Sequence, residues 1–175
     1  MKNTSFTTAR LHLSPTTIED ADLFLELLNT PKWLQFIGDR NVKTLSAARI
    51  YIEERVWPQY QKLGYGNYTL SLKKNGKKIG CCGLYDREGI DGVDIGFSLL
   101  PAFEKKGYGF EAAQCVRDAG FSQFNLSKIG AITVPENEAS IALLEKLGLE
   151  YIKTITLEND PQELRYFEIQ NPFIS

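Results

Sequence analysis

Leu99-Leu100-Pro101-Ala102-Phe103-Glu104-Lys105-Lys106-Gly107-Tyr108-Gly109-Phe110-Glu111-Ala112 is the most informative stretch of the chain. An apolar strand pattern stops at a proline, a basic turn with two glycines follows, and a helical pattern opens. That order gathers backbone N–H groups and the positive end of a helix dipole around one point, which suits a phosphate. Lys105 and Lys106 stand directly before the first glycine and add point charge. The expected ligand is a small molecule that carries a diphosphate.

Composition narrows the class. A chain of 175 residues fits one domain, 1–175, with a core of its own. A net charge of −2 gives no basic field for nucleic acid or an anionic membrane. No apolar run approaches the ~20 residues that span a bilayer, and Met1 to Arg10 lacks the apolar core of a secretory signal. Cys81, Cys82 and Cys115 have no CxxC spacing and suit a reducing compartment, so the expected location is cytoplasmic. His12 is the one histidine and has no ligand cluster around it in sequence, so no metal is expected.

Outward from the glycine turn, strands and helices alternate. Arg10 to Leu13 reads as an opening strand. Thr17 is an N-cap, with Asp20 three residues on, for a helix whose apolar face is Ala21, Leu23, Phe24, Leu27 and Leu28. Pro31 to Ile37 is a short helix, and Thr44 to Lys62 a longer one that Pro58 kinks or ends. From Gly66 the period becomes two. Tyr68 to Leu72, Lys78 to Tyr85 and Val93 to Leu100 form an antiparallel meander turned at Asn75-Gly76 and Asp91-Gly92. A helix from Tyr108 to Phe124, a strand from Lys128 to Val134, and a helix from Asn137 to Leu147 ended by Gly148 follow. Strands over Tyr151 to Leu157 and Leu164 to Ile169, joined through Asn159-Asp160-Pro161, close the chain. The fold class is α/β of the α+β type, with a mixed, largely antiparallel sheet of about seven strands and about four helices.

Gly107-x-Gly109-x-x-Ala112 also fits the dinucleotide fingerprint. Its context does not. The fingerprint belongs on a first strand opening a parallel βαβ unit, whereas here Pro101 and the charged run Glu104 to Lys106 intervene after a meander. No Gly-Lys-Ser/Thr ends the turn, which removes a P-loop. A plain helix start remains open for the segment taken alone.

The next helix adds a second signal, since Asn137, Ser140 and Leu144 lie along one side of it and Asn137 is a good N-cap. Together with the glycine turn, the chain resembles the GNAT family of acyl-CoA-dependent N-acetyltransferases. It is most similar to the ribosomal-protein-alanine, Rim-like branch. The motifs are Thr8-x-Arg10-Leu11-x-Leu13, Gly96-Phe97-x-Leu99-x-Pro101, Gly107-Tyr108-Gly109-x-Glu111-Ala112, and Asn137-x-x-Ser140 running to Glu145-Lys146-Leu147-Gly148. They span nearly the whole chain in the family's order.

The resemblance implies a sheet splayed after the strand that ends at Leu100, with the pantetheine arm of acetyl-CoA in the gap against backbone at Ser98, Leu99 and Leu100. It implies a diphosphate on the amides of Lys105, Lys106, Gly107, Tyr108, Gly109 and Phe110, with Asn137 reaching the pantetheine or acetyl region and Ser140 near the sulfur. Asp94, alternating with Gly96 and Ser98 on one strand face, is the candidate base for a primary-amine acceptor, directly or through water. A solvated strand carboxylate, or one that attracts a cationic amine, is its alternative. The Leu99 N–H is the expected oxyanion donor. A homodimer is common among similar proteins.

Three positions depart from the family pattern. Leu144 stands where many members carry a tyrosine general acid, so either the thiolate leaves without a dedicated donor or another hydroxyl such as Tyr85 or Tyr108 serves. Glu104 brings a carboxylate near the diphosphate, and Leu149 replaces the more usual phenylalanine. Asp86, Glu88, Asp91 and Asp94 form an acidic surplus that suits a cationic acceptor or is plain turn chemistry. Three function classes follow: an acetyl-CoA-dependent N-acetyltransferase, a catalytically silent acyl-CoA-binding module, and a nucleotide-dependent oxidoreductase.

Overall fold

The computed structural model describes residues 4–174. Eight strands form one sheet: β1 (Phe6–Thr7), β2 (Leu11–Pro15), β3 (Asn67–Leu72), β4 (Lys78–Asp86), β5 (Val93–Leu99), β6 (Lys128–Thr133), β7 (Glu150–Leu157) and β8 (Asp160–Gln170). Their spatial order is β1-β2-β3-β4-β5-β6-β8-β7, and every neighbouring pair is antiparallel except β5–β6. The helices are α1 (Ala21–Leu27), α2 (Pro31–Phe36), α3 (Leu45–Tyr51), α4 (Trp57–Leu63), α5 (Tyr108–Ser122) and α6 (Glu138–Lys146).

Helix starts follow local chemistry. Thr30 and Thr44 hydroxyls accept the amides of Trp33 and Ala47, and the Asn137 side chain accepts that of Ser140. The kink expected from Pro58 is a π-turn over Ile52–Val56 that joins α3 to α4, with Trp57 N–H donating to Ile52 O five residues back. A proline without an amide cannot continue the i→i−4 ladder, and the chain widens one turn ahead of it. Phe6–Thr7 is a strand beyond those read from the sequence. Its Phe6 ring packs edge-on against Tyr68 at 5.3 Å, so a two-residue strand is held by burial rather than by length.

The sheet separates two apolar clusters. On one face Tyr68, Leu70, Cys82, Leu84 and Ile95 meet Ala112, Ala113 and Val116 of α5. On the other, Cys81 and Leu100 meet Phe24 and Leu27 of α1 and Ala48 of α3. Side chains alternate along each strand, so β3, β4 and β5 present Asn67, Thr69, Cys81, Gly83, Tyr85, Asp94, Gly96 and Ser98 to that second face.

Two of these are glycines because the Tyr85 ring lies across them. A Cβ at Gly96 would fall 2.9 Å from the Tyr85 ring, and one at Gly83 would fall 2.8 Å from its hydroxyl and 2.5 Å from Gly66 O. Gly83→Ala is therefore expected to cost about 1–3 kcal/mol, read as a lower denaturant midpoint, because backbone as well as ring must move. An unchanged midpoint would mean the strands accommodate the methyl group freely.

Candidate active site

The β5–β6 pair opens the molecule. β5 is paired with β4 along its length, from Asp86↔Val93 to Gly80↔Leu99. β6 meets it at one position, Asp94↔Gly130, and then diverges. Leu100 N–H donates to Ile79 O at 2.8 Å, and Leu100 O accepts Phe103 N–H at 2.9 Å. Amides alternate along an antiparallel strand, so those of Phe97 and Leu99 point away from β4 and into the gap. Of the expected backbone set Ser98, Leu99 and Leu100, the Leu100 N–H and O are engaged elsewhere and Ser98 lines the cleft, so the backbone facing the gap is that of Leu99 together with Phe97. The phase of one hydrogen bond decides this, and sequence does not print that phase.

A cleft of about 380 Å³ runs from this gap across the helix-covered face of the sheet. Gly96, Phe97, Ser98, Asn137, Ser140 and Leu144 line one part, and Phe24, Trp33, Phe36 and Tyr51 line another. The Asn137 side-chain oxygen caps Ser140, which leaves its amide N–H groups available.

At the far end of β5, Lys105 and Gly107 both adopt left-handed backbone, with φ of 57° and 83°. Gly107 is the N-cap of α5 and has no side chain with which to cap it. Helices α2, α3 and α6 satisfy their first turns with side-chain oxygens. The amides of Tyr108, Gly109 and Phe110 instead have no intrahelical acceptor, since the first helical bond is Glu111 N–H to Gly107 O. Lys105, Lys106 and Gly107 are exposed beside them. Uncapped amides at a helix start are the kind of geometry that suits an anion.

An arrangement absent from the sequence reading fixes that turn. Glu111 accepts from Thr8 Oγ1 at 2.6 Å, Arg10 N–H at 2.7 Å and Arg10 Nε at 2.7 Å. Arg10 also donates to Lys106 O at 2.9 Å and lies 4.3 Å from the Tyr108 ring centre. The Thr8-x-Arg10 motif thus clamps the first turn of α5 to β2. Burial works against the Glu111 carboxylate, but its hydrogen bonds from Thr8 and Arg10 prevail and hold its pKa below the ordinary range. Glu104, the departure nearest the turn, is neutralised by Lys32 at 2.7 Å.

Asp94 is buried, not a solvated carboxylate. Arg87 Nε lies 3.2 and 3.3 Å from its two oxygens and Arg87 Nη2 lies 3.2 Å from one of them. Burial pushes the Asp94 pKa up, and Arg87 opposes this without cancelling it. The rest of the acidic surplus is largely spent on ion pairs, Asp86 with Lys62 at 2.9 Å and Asp91 with Lys128 at 3.0 Å.

Of the two substitute hydroxyls, Tyr85 lines the cleft, whereas Tyr108 is covered by Arg10. Tyr85 begins a chain of oriented hydrogen bonds. Its hydroxyl donates to Asn67 Oδ1, Asn67 Nδ2 donates to Thr16 Oγ1 at 2.9 Å, Thr16 and Thr69 share a bond of 2.9 Å, and Thr69 donates to Asp20 Oδ2 at 2.9 Å. Asp20 is paired with Lys78 at 2.6 Å. A carboxylate only accepts, which sets the direction of every bond behind it. The Tyr85 proton is therefore turned toward Asn67, and what Tyr85 offers the cleft is an oxygen lone pair. Burial raises its pKa well above the ordinary tyrosine value. Burial likewise pushes the cleft-lining Cys81 thiol up to about 12, which keeps it protonated and unsuited to act as a nucleophile. Among the described residues no His/Cys/Asp/Glu group is arranged to hold a metal ion, and no helix is long and apolar enough to cross a membrane.

Comparison with known proteins agrees with this geometry. The family model described as an acetyltransferase (GNAT) domain matches residues 10–150. An uncharacterized N-acetyltransferase, p20, of Bacillus licheniformis is 31% identical over 145 residues, covering 82% of this chain and 80% of that protein. The acetyltransferase from Agrobacterium tumefaciens has the same fold at a TM-score of 0.81 and 22% identity, covering 97% of this chain and 96% of its own. RimL, a ribosomal L7/L12 α-N-protein acetyltransferase solved with coenzyme A, also scores 0.81, at 16% identity over 95% of this chain and 98% of its own.

Removing the clamp should loosen the turn. Glu111→Ala is expected to cost about 2 kcal/mol at neutral pH, seen as a melting temperature lower by roughly 4–8 °C. Because the folded Glu111 pKa is depressed, its contribution is present above the unfolded value of about 4.3 and is lost as pH falls through the folded one. The difference between wild type and variant should accordingly shrink in acid. A gap that persists at low pH would show that packing, not the charged clamp, carries it.

Proposed function

The chain belongs to the GNAT acetyltransferase family and is an acyltransferase; we propose that it transfers an acetyl group from acetyl-CoA to a primary amine by direct attack on the thioester. The observation that carries this reading is the single-point β5–β6 pairing at Asp94↔Gly130, which leaves the Phe97 and Leu99 backbone facing a gap. Pantetheine contains two amides, and an open strand edge is a natural partner for them. The uncapped start of α5 supports a diphosphate at Lys105 to Phe110.

This arrangement sets a direction along β5. The diphosphate binds at the Leu100 end and both pantetheine amides lie between it and the sulfur, so the thioester falls upstream of Leu99. The Phe97 N–H, in phase with Leu99, is then the better oxyanion donor. Leu99 serves the pantetheine. In the transfer the amine nitrogen bonds to the carbonyl carbon, the carbon–sulfur bond breaks, the amine loses a proton to a base, and the thiolate takes one up. Ser140 lines the cleft at half-buried depth and is the hydroxyl assigned to the departing thiolate. Asp94 is the assigned base, through water where the amine does not reach it. Tyr85 accepts a hydrogen bond from the amine and orients its lone pair toward the carbonyl. The acceptor amine must be neutral to attack. An α-amine of pKa ~7.7 is about one-sixth neutral at pH 7, and a lysine amine of pKa ~10.4 about one part in 2,500, so an α-amine asks less of a base.

The oxidoreductase reading loses its ground because the strand before the glycines is paired antiparallel to β4 rather than opening a parallel βαβ unit.

Gly107→Glu is expected to abolish coenzyme A binding in calorimetry, since it brings charge into the turn, forces a side chain into φ of 83°, and sets a Cβ 3.1 Å from Arg10 Nη2. Wild-type affinity in that variant would remove the diphosphate assignment. Asp94→Asn should lower turnover about 100-fold or more with coenzyme A affinity retained. The wild-type acid limb should lie above the usual carboxylate range, as burial raises Asp94. Equal turnover of the two proteins across that range would exclude Asp94 as the base.

A further inference from the structure

The aromatic half of the cleft is rich in hydrogen-bond donors and poor in free acceptors. Beside Phe24, Trp33, Phe36 and Tyr51 it is lined by Arg40, from the loop after α2, and Arg55, from the π-turn between α3 and α4. Both arginines are exposed. Among the described residues neither guanidinium has an ion-pair or hydrogen-bond partner. Asp39, next to Arg40 in sequence, is held instead by Asn41 N–H at 2.7 Å and Lys43 at 3.1 Å. Glu53 and Glu54, next to Arg55, do not line the cleft. Of the carboxylates that do, Asp94 is bonded to Arg87, and Asp160 lies at the start of β8 and accepts the Gln162 amide at 3.0 Å.

Arg40 and Arg55 line this cleft together with Tyr51. Burial raises the pKa of the Tyr51 hydroxyl, and Arg40, Arg55 and Arg87 all pull it back. A buried donor stands on the same wall, since Trp33 Nε1 has no hydrogen-bond partner.

We infer that the acceptor is a primary amine bearing a carboxylate, bound with its anion at Arg40 and Arg55 and its amine directed toward Tyr85 and Asp94. This rests on acetyl transfer to a primary amine in the same cleft. Arginine forks match a carboxylate in geometry as well as charge, and aromatic walls lower the local dielectric around the pair. A polyamine would bring like charge to two unpaired cations, and of the acidic residues expected to attract one, Asp86, Asp91 and Asp94 are paired with Lys62, Lys128 and Arg87, while Glu88 does not line the cleft.

The test is thiol release from acetyl-CoA with matched amines: L-glutamate against L-glutamine, L-alanine against L-alaninamide, and short amidated peptides with N-terminal Glu-Glu against Gln-Gln, with spermidine as the polycation. The carboxylate member of at least one pair should exceed its neutral partner at least tenfold in kcat/KM, and spermidine should be poor. Preference within the free amino acids or within the peptides tells which source supplies the carboxylate. The Arg40→Ala/Arg55→Ala double variant should raise KM for the preferred amine at least tenfold with coenzyme A affinity retained, because both side chains are exposed and clear of the diphosphate turn. Spermidine or neutral amides used as well as the carboxylates, or a preference that survives the double variant, would overturn the acceptor class alone. Coenzyme A binding without thiol release to any amine would overturn the transfer reading and this class with it.

Discussion

The meeting of β5 and β6 at Asp94↔Gly130 organises the rest of the molecule. A parallel pair normally continues along a ladder, and each unpaired buried amide has a cost. Here the ladder stops after one rung, and the strand end is left with N–H and C=O groups that no neighbouring strand receives. Such an edge is tolerable only beside water or a ligand that carries its own amides. The cleft, the reach of Ser140 into it, and the exposure of the turn at Gly107 all follow from that divergence.

Two polar constructions hold the gap's surroundings in place. On one side, Thr8 and Arg10 bind Glu111 and so fix the uncapped start of α5. On the other, the bonds from Tyr85 through Asn67, Thr16 and Thr69 to Asp20 tie β2, β3 and β4 together beneath the helices. Buried polar chains are favourable only when each member is satisfied, and an orientation dictated by one carboxylate satisfies all of them. Its chemical result is that the Tyr85 oxygen is an acceptor for whatever enters the cleft, which suits an amine.

What the sequence made legible was mostly local. The glycine turn ahead of α5, the Thr17 and Asn137 caps, the Asn75-Gly76 turn and the period-two strands each depend on a few adjacent residues. Side-chain partners set by the folded geometry were not legible in that way. Nothing in Thr8-x-Arg10 announces that its partner is Glu111, and nothing in Asp94 announces that Arg87 covers it. That the Phe97 amide faces the gap beside that of Leu99 has the same origin, because which amides face outward depends on the Leu100–Ile79 bond. The π-turn shows a middle case. Pro58 marked the disturbance, but the contact that accompanies the widened turn, Trp57 Nε1 donating to Thr16 O just past β2 at 3.0 Å, joins residues far apart in sequence.

Hydrogen exchange of the β5 amides, followed residue by residue with and without coenzyme A, tests the open strand edge most directly. Phe97 and Leu99 should exchange readily in the free protein and become protected when coenzyme A is added, while Leu100 stays protected throughout by Ile79. Phe97 and Leu99 amides already protected in the free protein and unmoved by coenzyme A would contradict the account, since it would mean that the two strands are closed.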